Sequence, residues 1–297
     1  MTAIQQFAGF YTQSLGFSVV PLLPRAKAPH VSGYLQREFG PDDFREGANL
    51  GLKSIGGIVV LDDDCAKRGL QLHNAFLPRK HCAIYGRPSA PRSKRVYHCP
   101  TLTTTRTWTD LQGEHLLQLR VGQQDMAPPS IHPDGERLTW VEPLWRGMLD
   151  TIDSEALITA CTLRATAAVI ALSWPARGRR ELRLAFARVL LETLAIRDDV
   201  ATDVLRLACE LGGSDANGIK HATSAVRYTR DALANHERAL GAGHVRKTLP
   251  EGAALLRRLR EWFGKTAALA HCACALKFSF GQRFRVVRRV LAGQHRC

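Results

Sequence analysis

Seven residues, Ile58-Val59-Val60-Leu61-Asp62-Asp63-Asp64, constrain this chain more than any others. Four β-favouring apolar residues run into three consecutive carboxylates, behind the Gly56-Gly57 breaker and ahead of Cys65-Ala66-Lys67-Arg68-Gly69. A short apolar run bounded by turn signals reads as a buried strand. Side chains alternate across a strand, so Asp62 and Asp64 share one face while Asp63 points to the other. Two carboxylates about 7 Å apart on one strand face can hold one or two hard cations. Such cations can activate a hydroxyl and brace a leaving pyrophosphate. The plainer alternative is an acidic strand end that repels itself and stays solvated, as charge runs usually do.

The rest of the chain narrows the class. Its 297 residues suffice for one large or two ordinary domains, and 45% apolar content is normal for a globular chain. A net charge of +14 is the electrostatic signature of a nucleic-acid binder. No apolar run approaches the ~20 residues of a membrane span. The N-terminus lacks the basic region of a signal peptide. With eight scattered cysteines, this implies reduced thiols and a cytoplasmic location.

In chain order, Phe7, Phe10, Tyr11 and Leu15 suit one helix face, ended by Gly16. Residues 17–23 read as a strand, followed by a basic loop at Pro24–Pro29 in which Lys27 is expected to be solvated. Asn49-Leu50-Gly51-Leu52 leads into the central strand, and a helix is expected over 69–76. After a strand near 81–85, the segment 86–95 reads as a loop with four cations and no carboxylate. It could clamp phosphates by charge and by serine hydroxyls, or be an ordinary solvated loop. Leu117, Leu119 and Val121 alternate with Gln118 and Arg120. Pro133-Asp134-Gly135 between apolar segments predicts a β-hairpin.

From about residue 150 the pattern turns helical, with a boundary near 143–153. Ser154 is the expected cap of a helix reaching Ser173, and Asp199 of one ending at Gly212-Gly213. The stripe Leu182, Ala185, Phe186, Val189 and Leu190 reads as core, as do Leu255, Leu256, Leu259 and Trp262. Gly264-Lys265-Thr266 lacks the first glycine and the preceding strand of a P-loop. His271, Cys272, Cys274, His295 and Cys297 are metal-ligand types, but their spacing matches no standard zinc module. The segment 277–297 holds six Lys/Arg and no acid, which suits a basic arm.

In this order, the motifs of residues 7–142 resemble the prim-pol domain, the bifunctional DNA primase/polymerase N-terminal family of the archaeo-eukaryotic primase superfamily. Gly16–Leu22 with Lys27-Ala28-Pro29 resembles the opening, and Ala48–Leu52 the Asn-hydrophobic-Gly segment. Val60–Asp64 resembles the catalytic Asp-x-Asp motif, and Gly86–Ser89 through Ser93–Tyr97 the nucleotide loop. Leu117–Arg120 and Pro128–Pro133 resemble the third motif and its downstream hairpin.

The resemblance implies an α+β fold: a primase-polymerase domain with an RRM-like mixed sheet over residues 1–148, an α-helical accessory domain over 149–265 and a basic tail over 266–297. It implies template-directed nucleotide addition and primer synthesis in replication of a plasmid, phage or mobile element. Asp62 and Asp64 would bind two Mg²⁺ or Mn²⁺ ions, with position 118 completing the catalytic set. Ser93, Lys94, Arg95, Arg120, Ser130 and His132 would bind nucleotide. Single-stranded DNA, nucleoside triphosphates and a separate helicase are the implied partners, with no membrane. Two departures matter: Lys94 stands where the family has histidine, and Gln118 where it has an acid. A lysine cannot copy an imidazole that changes charge near pH 7, and an amide carries no negative charge. The other reading is therefore a degenerate prim-pol that binds nucleotide or single-stranded nucleic acid without polymerising.

Overall fold

The computed structural model describes residues 1–264 apart from 73, 79–81, 144 and 176–177. Nine strands form: β1 (Val19–Leu22), β2 (Asn49–Lys53), β3 (Ile58–Asp63), β4 (Ala83–Arg87), β5 (Ala90–His98), β6 (Arg106–Thr109), β7 (His115–Arg120), β8 (Gln124–Ala127) and β9 (Thr139–Glu142). Helix α1 (Ala3–Gly9) runs on into a π-helical turn, Phe10–Ser14, before β1. After the strands come α2 (Ser154–Leu172), α3 (Arg179–Arg188), α4 (Asp198–Leu211), α5 (Ala216–Ala234), α6 (Ala242–Thr248) and α7 (Gly252–Gly264). The class is α+β, a sheet region followed by a helical one, as the sequence implies, but the strands form two antiparallel sheets where one mixed sheet was expected.

The strands build a three-stranded sheet ordered β1-β2-β8 and a six-stranded sheet ordered β6-β7-β3-β5-β4-β9. Every ladder between these strands is antiparallel. The apolar run 58–61 is fully buried because β3 lies inside the larger sheet, between β7 and β5. Its alternation then sorts the core. Val59 and Leu61 pack with the helices, whereas Ile58 and Val60 pack with β1 and β2 of the small sheet. The result is three layers, with small sheet and helices on opposite faces of the large one. At two places only glycine serves. A Cβ on Gly86 would lie 2.2 Å from the Ala90 carbonyl oxygen, inside the tight β4–β5 hairpin. Gly57 enters β3 with φ +82 and with the His98 ring 2.9 Å from where a Cβ would be.

Several local expectations are corrected. Residues 69–76 hold no helix among the described residues; a 3₁₀ turn at Cys65–Arg68 takes the chain off β3. The N-terminal buried stripe is Ile4, Ala8, Tyr11 and Leu15, leaving Phe7 and Phe10 exposed. Asn49–Leu52 is a strand of the small sheet, not a lead-in to β3. Ser93, Lys94 and Arg95 lie on β5 rather than in a loop. The turn at 132–135 closes a short hairpin, with an antiparallel bridge between Ile131 and Arg137 and the Leu138 amide donating to the Ser130 carbonyl (2.8 Å), before β8 joins β2 and β9 joins β4. Asp153, not Ser154, caps α2, accepting from the amides of Glu155 (2.9 Å) and Ala156 (3.0 Å). Asp199 lies inside the first turn of α4 rather than capping it. The 19-residue α2 is, by length and composition, apolar enough to cross a membrane, a run not expected from the sequence. It is a core helix, buried on nearly every side. The Gly264-Lys265-Thr266 segment past 264, the His/Cys group and the basic tail lie outside the described residues.

One polar pair stitches the helical layer to β3. Arg164 of α2 donates to the Asp63 carboxylate and, through its other terminal nitrogen, to the carbonyls of Leu72 (3.2 Å) and Ala75 (3.1 Å). Both side chains are under one tenth exposed. Removing one partner of a buried pair strands the other charge, at a cost of about 3–5 kcal/mol. Arg164→Met is therefore expected to lower the urea-unfolding free energy by about that amount. Adding Asp63→Asn should recover part of the loss. A single variant as stable as wild type would refute the role.

Candidate functional site

Strand alternation brings Asp62 to the face opposite Asp63, against the small sheet. Register supplies its neighbours, because Asp62 lies across from Lys94 on β5 and from Gln118 on β7. Lys94 Nζ lies 2.7 Å from Asp62 Oδ2 and 2.9 Å from Asp125 Oδ1, the latter on β8 of the small sheet. Arg120 closes the ring, reaching Asp62 Oδ2 and Asp125 Oδ1 at 2.5 Å each. Two carboxylates and two cations thus alternate in a bridge between the sheets.

Each charge in the ring depends on the others. Burial by itself would raise the Asp62 carboxyl, but the Lys94 ammonium and Arg120 guanidinium outweigh it and hold the group down to about 2. Burial likewise opposes the charge on Lys94, and Asp125 and Asp62 more than restore it. The same two carboxylates raise Arg120 against the same opposition.

Around this ring lies a cavity of about 120 Å³. Its lining includes Asp62, Asp63, Asp64 and Asp125 against Lys27, Lys67, Arg87, Lys94 and Arg120, with Ser93 and His132. Asp64, just past β3, pairs with Lys67 at 2.7 Å. Arg87 reaches outward to Asp134 at 2.6 Å and Glu136 at 3.1 Å. Lys27 lines the cavity with no ion pair among the described residues, and burial together with nearby Lys67 and Lys94 lowers its pKa. Burial, then Lys27 and Arg87, lower that of His132. Its Nδ1 lies 3.2 Å from the Asp134 amide nitrogen, 3.3 Å from Arg87 Nη1 and 3.1 Å from Asp134 Oδ2.

The sequence-derived residues therefore divide. Asp62, Asp64, Ser93, Lys94, Arg120 and His132 meet at one cavity. Gln118 supports it from the side: its Oε1 accepts from Arg120 Nε at 2.7 Å, and its Nε2 donates to Thr107 at 3.1 Å. Arg95 faces the other way, 1% exposed, and donates to Asn74 at 2.6 Å. Ser130 is buried beside β2, its hydroxyl accepting from the Leu50 amide (2.8 Å) and donating to the Leu50 carbonyl (3.0 Å). Asp125 is the residue that sequence reasoning missed. The available signal was an acid just ahead of an apolar segment entering a strand. Lys27, expected in solvent, and Lys67 and Arg87 also belong to the lining.

Two divalent cations do not fit this donor set as it stands. Asp62 Oδ2 and Asp125 Oδ1 are both held by Lys94 and Arg120, Asp64 by Lys67, and the Gln118 amide is spent on Arg120 and Thr107. Among the described residues no three Asp, Glu, His or Cys side chains converge as a metal group. Asp125 Oδ2 is buried without a hydrogen-bond partner, but the cations on its sister oxygen already neutralise the carboxylate.

Comparison with known proteins bears on residues 8–153, which match the family model Prim-Pol, described as bifunctional DNA primase/polymerase, N-terminal. No curated protein and no solved structure matches the chain.

The ring makes stability depend on acid. Asp62 titrates below the ordinary 3.8, so its ionised form stabilises the fold fully above about pH 4 and progressively less toward pH 2. Asp62→Asn is expected to cost about 3 kcal/mol at pH 6 in urea unfolding. At pH 2.5 the deficit should shrink by more than half. An equal deficit at both pH values would remove the ring as its source.

Proposed function

Residues 8–153 belong to the Prim-Pol family, and from that premise we propose that the cavity beside Asp62 receives the phosphates of a nucleoside triphosphate opposite a single-stranded DNA template. The family carries a DNA primase/polymerase-type function in general, with DNA and nucleotide binding. The observation that carries the finer reading is the charge pattern of the cavity. Lys94 and Arg120 are balanced within the ring, and Lys67 by Asp64, which leaves Lys27 without a carboxylate partner among the described residues. That surplus positive charge, with the Ser93 hydroxyl, suits phosphate oxygens. Typical ligand pockets enclose roughly 300–1,000 Å³. A cavity of about 120 Å³ takes the phosphate end alone and leaves base and sugar outside, where a template strand can select them. The charge of +14 supplies sequence-independent attraction for that strand.

The side chains divide the work. Lys27, Lys67 and Arg87 meet the phosphates, while Arg120, propped by Gln118, keeps Asp62 ionised and fixed. His132, neutral near pH 7, offers a hydrogen bond without charge. Uptake of the nucleotide is what this geometry favours, since Asp62 is already neutralised by protein cations. A second reading, nucleotidyl transfer, is favoured by the Asp62–Asp64 spacing, and family enzymes generally use divalent metals for it. The setting we propose is replication of a plasmid, phage or other mobile element, with unwinding by a separate helicase.

Fluorescent nucleotide binding and primer extension on single-stranded DNA test both readings. Lys27→Ala is expected to weaken nucleotide affinity about tenfold, the worth of one charge-assisted contact. Wild-type affinity should fall as salt rises. Binding without extension supports uptake alone. Extension that is lost in Asp62→Ala/Asp64→Ala supports transfer. Absence of nucleotide binding at low salt would sink both.

A further inference from the structure

We infer that Lys94 is a built-in cation: its ammonium stands between Asp62 and Asp125 where a divalent metal would otherwise join them, so the cavity takes up a triphosphate without a metal ion. The inference rests on the nucleotide-binding reading above and gives it a substrate form, the metal-free polyphosphate.

Three observations converge on Lys94. Its Nζ sits 2.7 Å and 2.9 Å from carboxylate oxygens of two different strands in two different sheets. Those distances match charge-assisted hydrogen bonds, so both carboxylates are bound and not merely nearby. Second, Arg120 reaches the same two oxygens, so an incoming divalent ion would have to displace two protein cations rather than one. Third, the carboxylates are almost wholly shielded from water, with side-chain exposures of 10% for Asp62 and 0% for Asp125. A hydrated hard cation gives up its water reluctantly and gains little from carboxylates already compensated.

The bridge also has a mechanical role. A metal that holds two strands together can leave, whereas a lysine on β5 cannot. The small sheet therefore stays fastened to the large one whether or not nucleotide is present. The phosphates then meet a preformed positive surface at Lys27, with no metal–phosphate complex needed to carry them in.

Manganese binding to the purified full chain, followed by electron paramagnetic resonance, is the decisive measurement. The wild type is expected to leave the free Mn²⁺ signal undiminished up to millimolar metal. A site with Kd below about 0.1 mM would overturn the inference. Lys94→Ala/Arg120→Ala and Lys94→Met/Arg120→Met, which remove both cations from the shared oxygens and are each checked for folding by circular dichroism, are expected to gain Mn²⁺ binding at least tenfold as Asp62 and Asp125 open. If folded variants gain none, the two carboxylates are not a latent metal site and the inference fails. In parallel, binding of a fluorescent deoxynucleoside triphosphate in EDTA should match that in Mg²⁺ within about twofold. A tenfold loss in EDTA would overturn metal-free uptake. Failure to bind nucleotide in either buffer would overturn the nucleotide reading, while the Mn²⁺ titration would still decide the identity of the bridging cation.

Discussion

Consecutive carboxylates on β3 are buried on opposite faces of one sheet, and each is neutralised from a different layer. Asp62 is held by Lys94 and Arg120, which tie it to Asp125 in the small sheet. Asp63 is held by Arg164 of the helical layer. An uncompensated charge in such surroundings is costly, so the registers of β5 and β7, the approach of β8 and the seating of α2 are all bound to this strand end. Slipping β3 by one residue would turn Asp62 toward Arg164 and Asp63 toward Lys94 and Arg120, breaking both arrangements at once.

What the sequence made legible was whatever has a period. The apolar run into three aspartates identified β3, and alternation correctly separated Asp62 from Asp63. The same rule put Gln118 and Arg120 on one face of β7, and the helical stripe at Leu182–Leu190 is buried as read. Periodicity reports which way a side chain faces, and it did so for β3, β7 and this stripe, though not for the first helix, where Phe7 and Phe10 face outward.

It does not report which strand lies next door. Turn-forming residues crowd 86–91, yet the reversal itself is tight at Arg87–Ala90, so Lys94 stands in a ladder rather than a loop. Asp125 gains its meaning from pairing of β8 with β2, a contact more than 70 residues apart in sequence. Arg164 is one arginine within an apolar helix, and its partner is 101 residues away. The resemblance implies Ser130 and Arg95 at nucleotide as members of its motifs, and in the structure neither lines the cavity beside Asp62. A neighbour in sequence on a strand lies on the opposite face, and backbone groups compete for a buried serine.

Arg164 has a bearing on where this protein can be divided. The Prim-Pol match ends at residue 153, one position before α2 begins, so the family boundary and the packing boundary do not coincide. A fragment cut at that boundary would keep every side chain around Asp62 yet lose the cover over Val59, Leu61 and Asp63. It would present water with an apolar sheet face that has a carboxylate set within it. Such a surface invites association with other copies before any chemistry can be assayed. For this chain the helices after residue 153 are the second wall of the sheet that carries the site, and the smallest portion suited to separate study extends well past the family's own end.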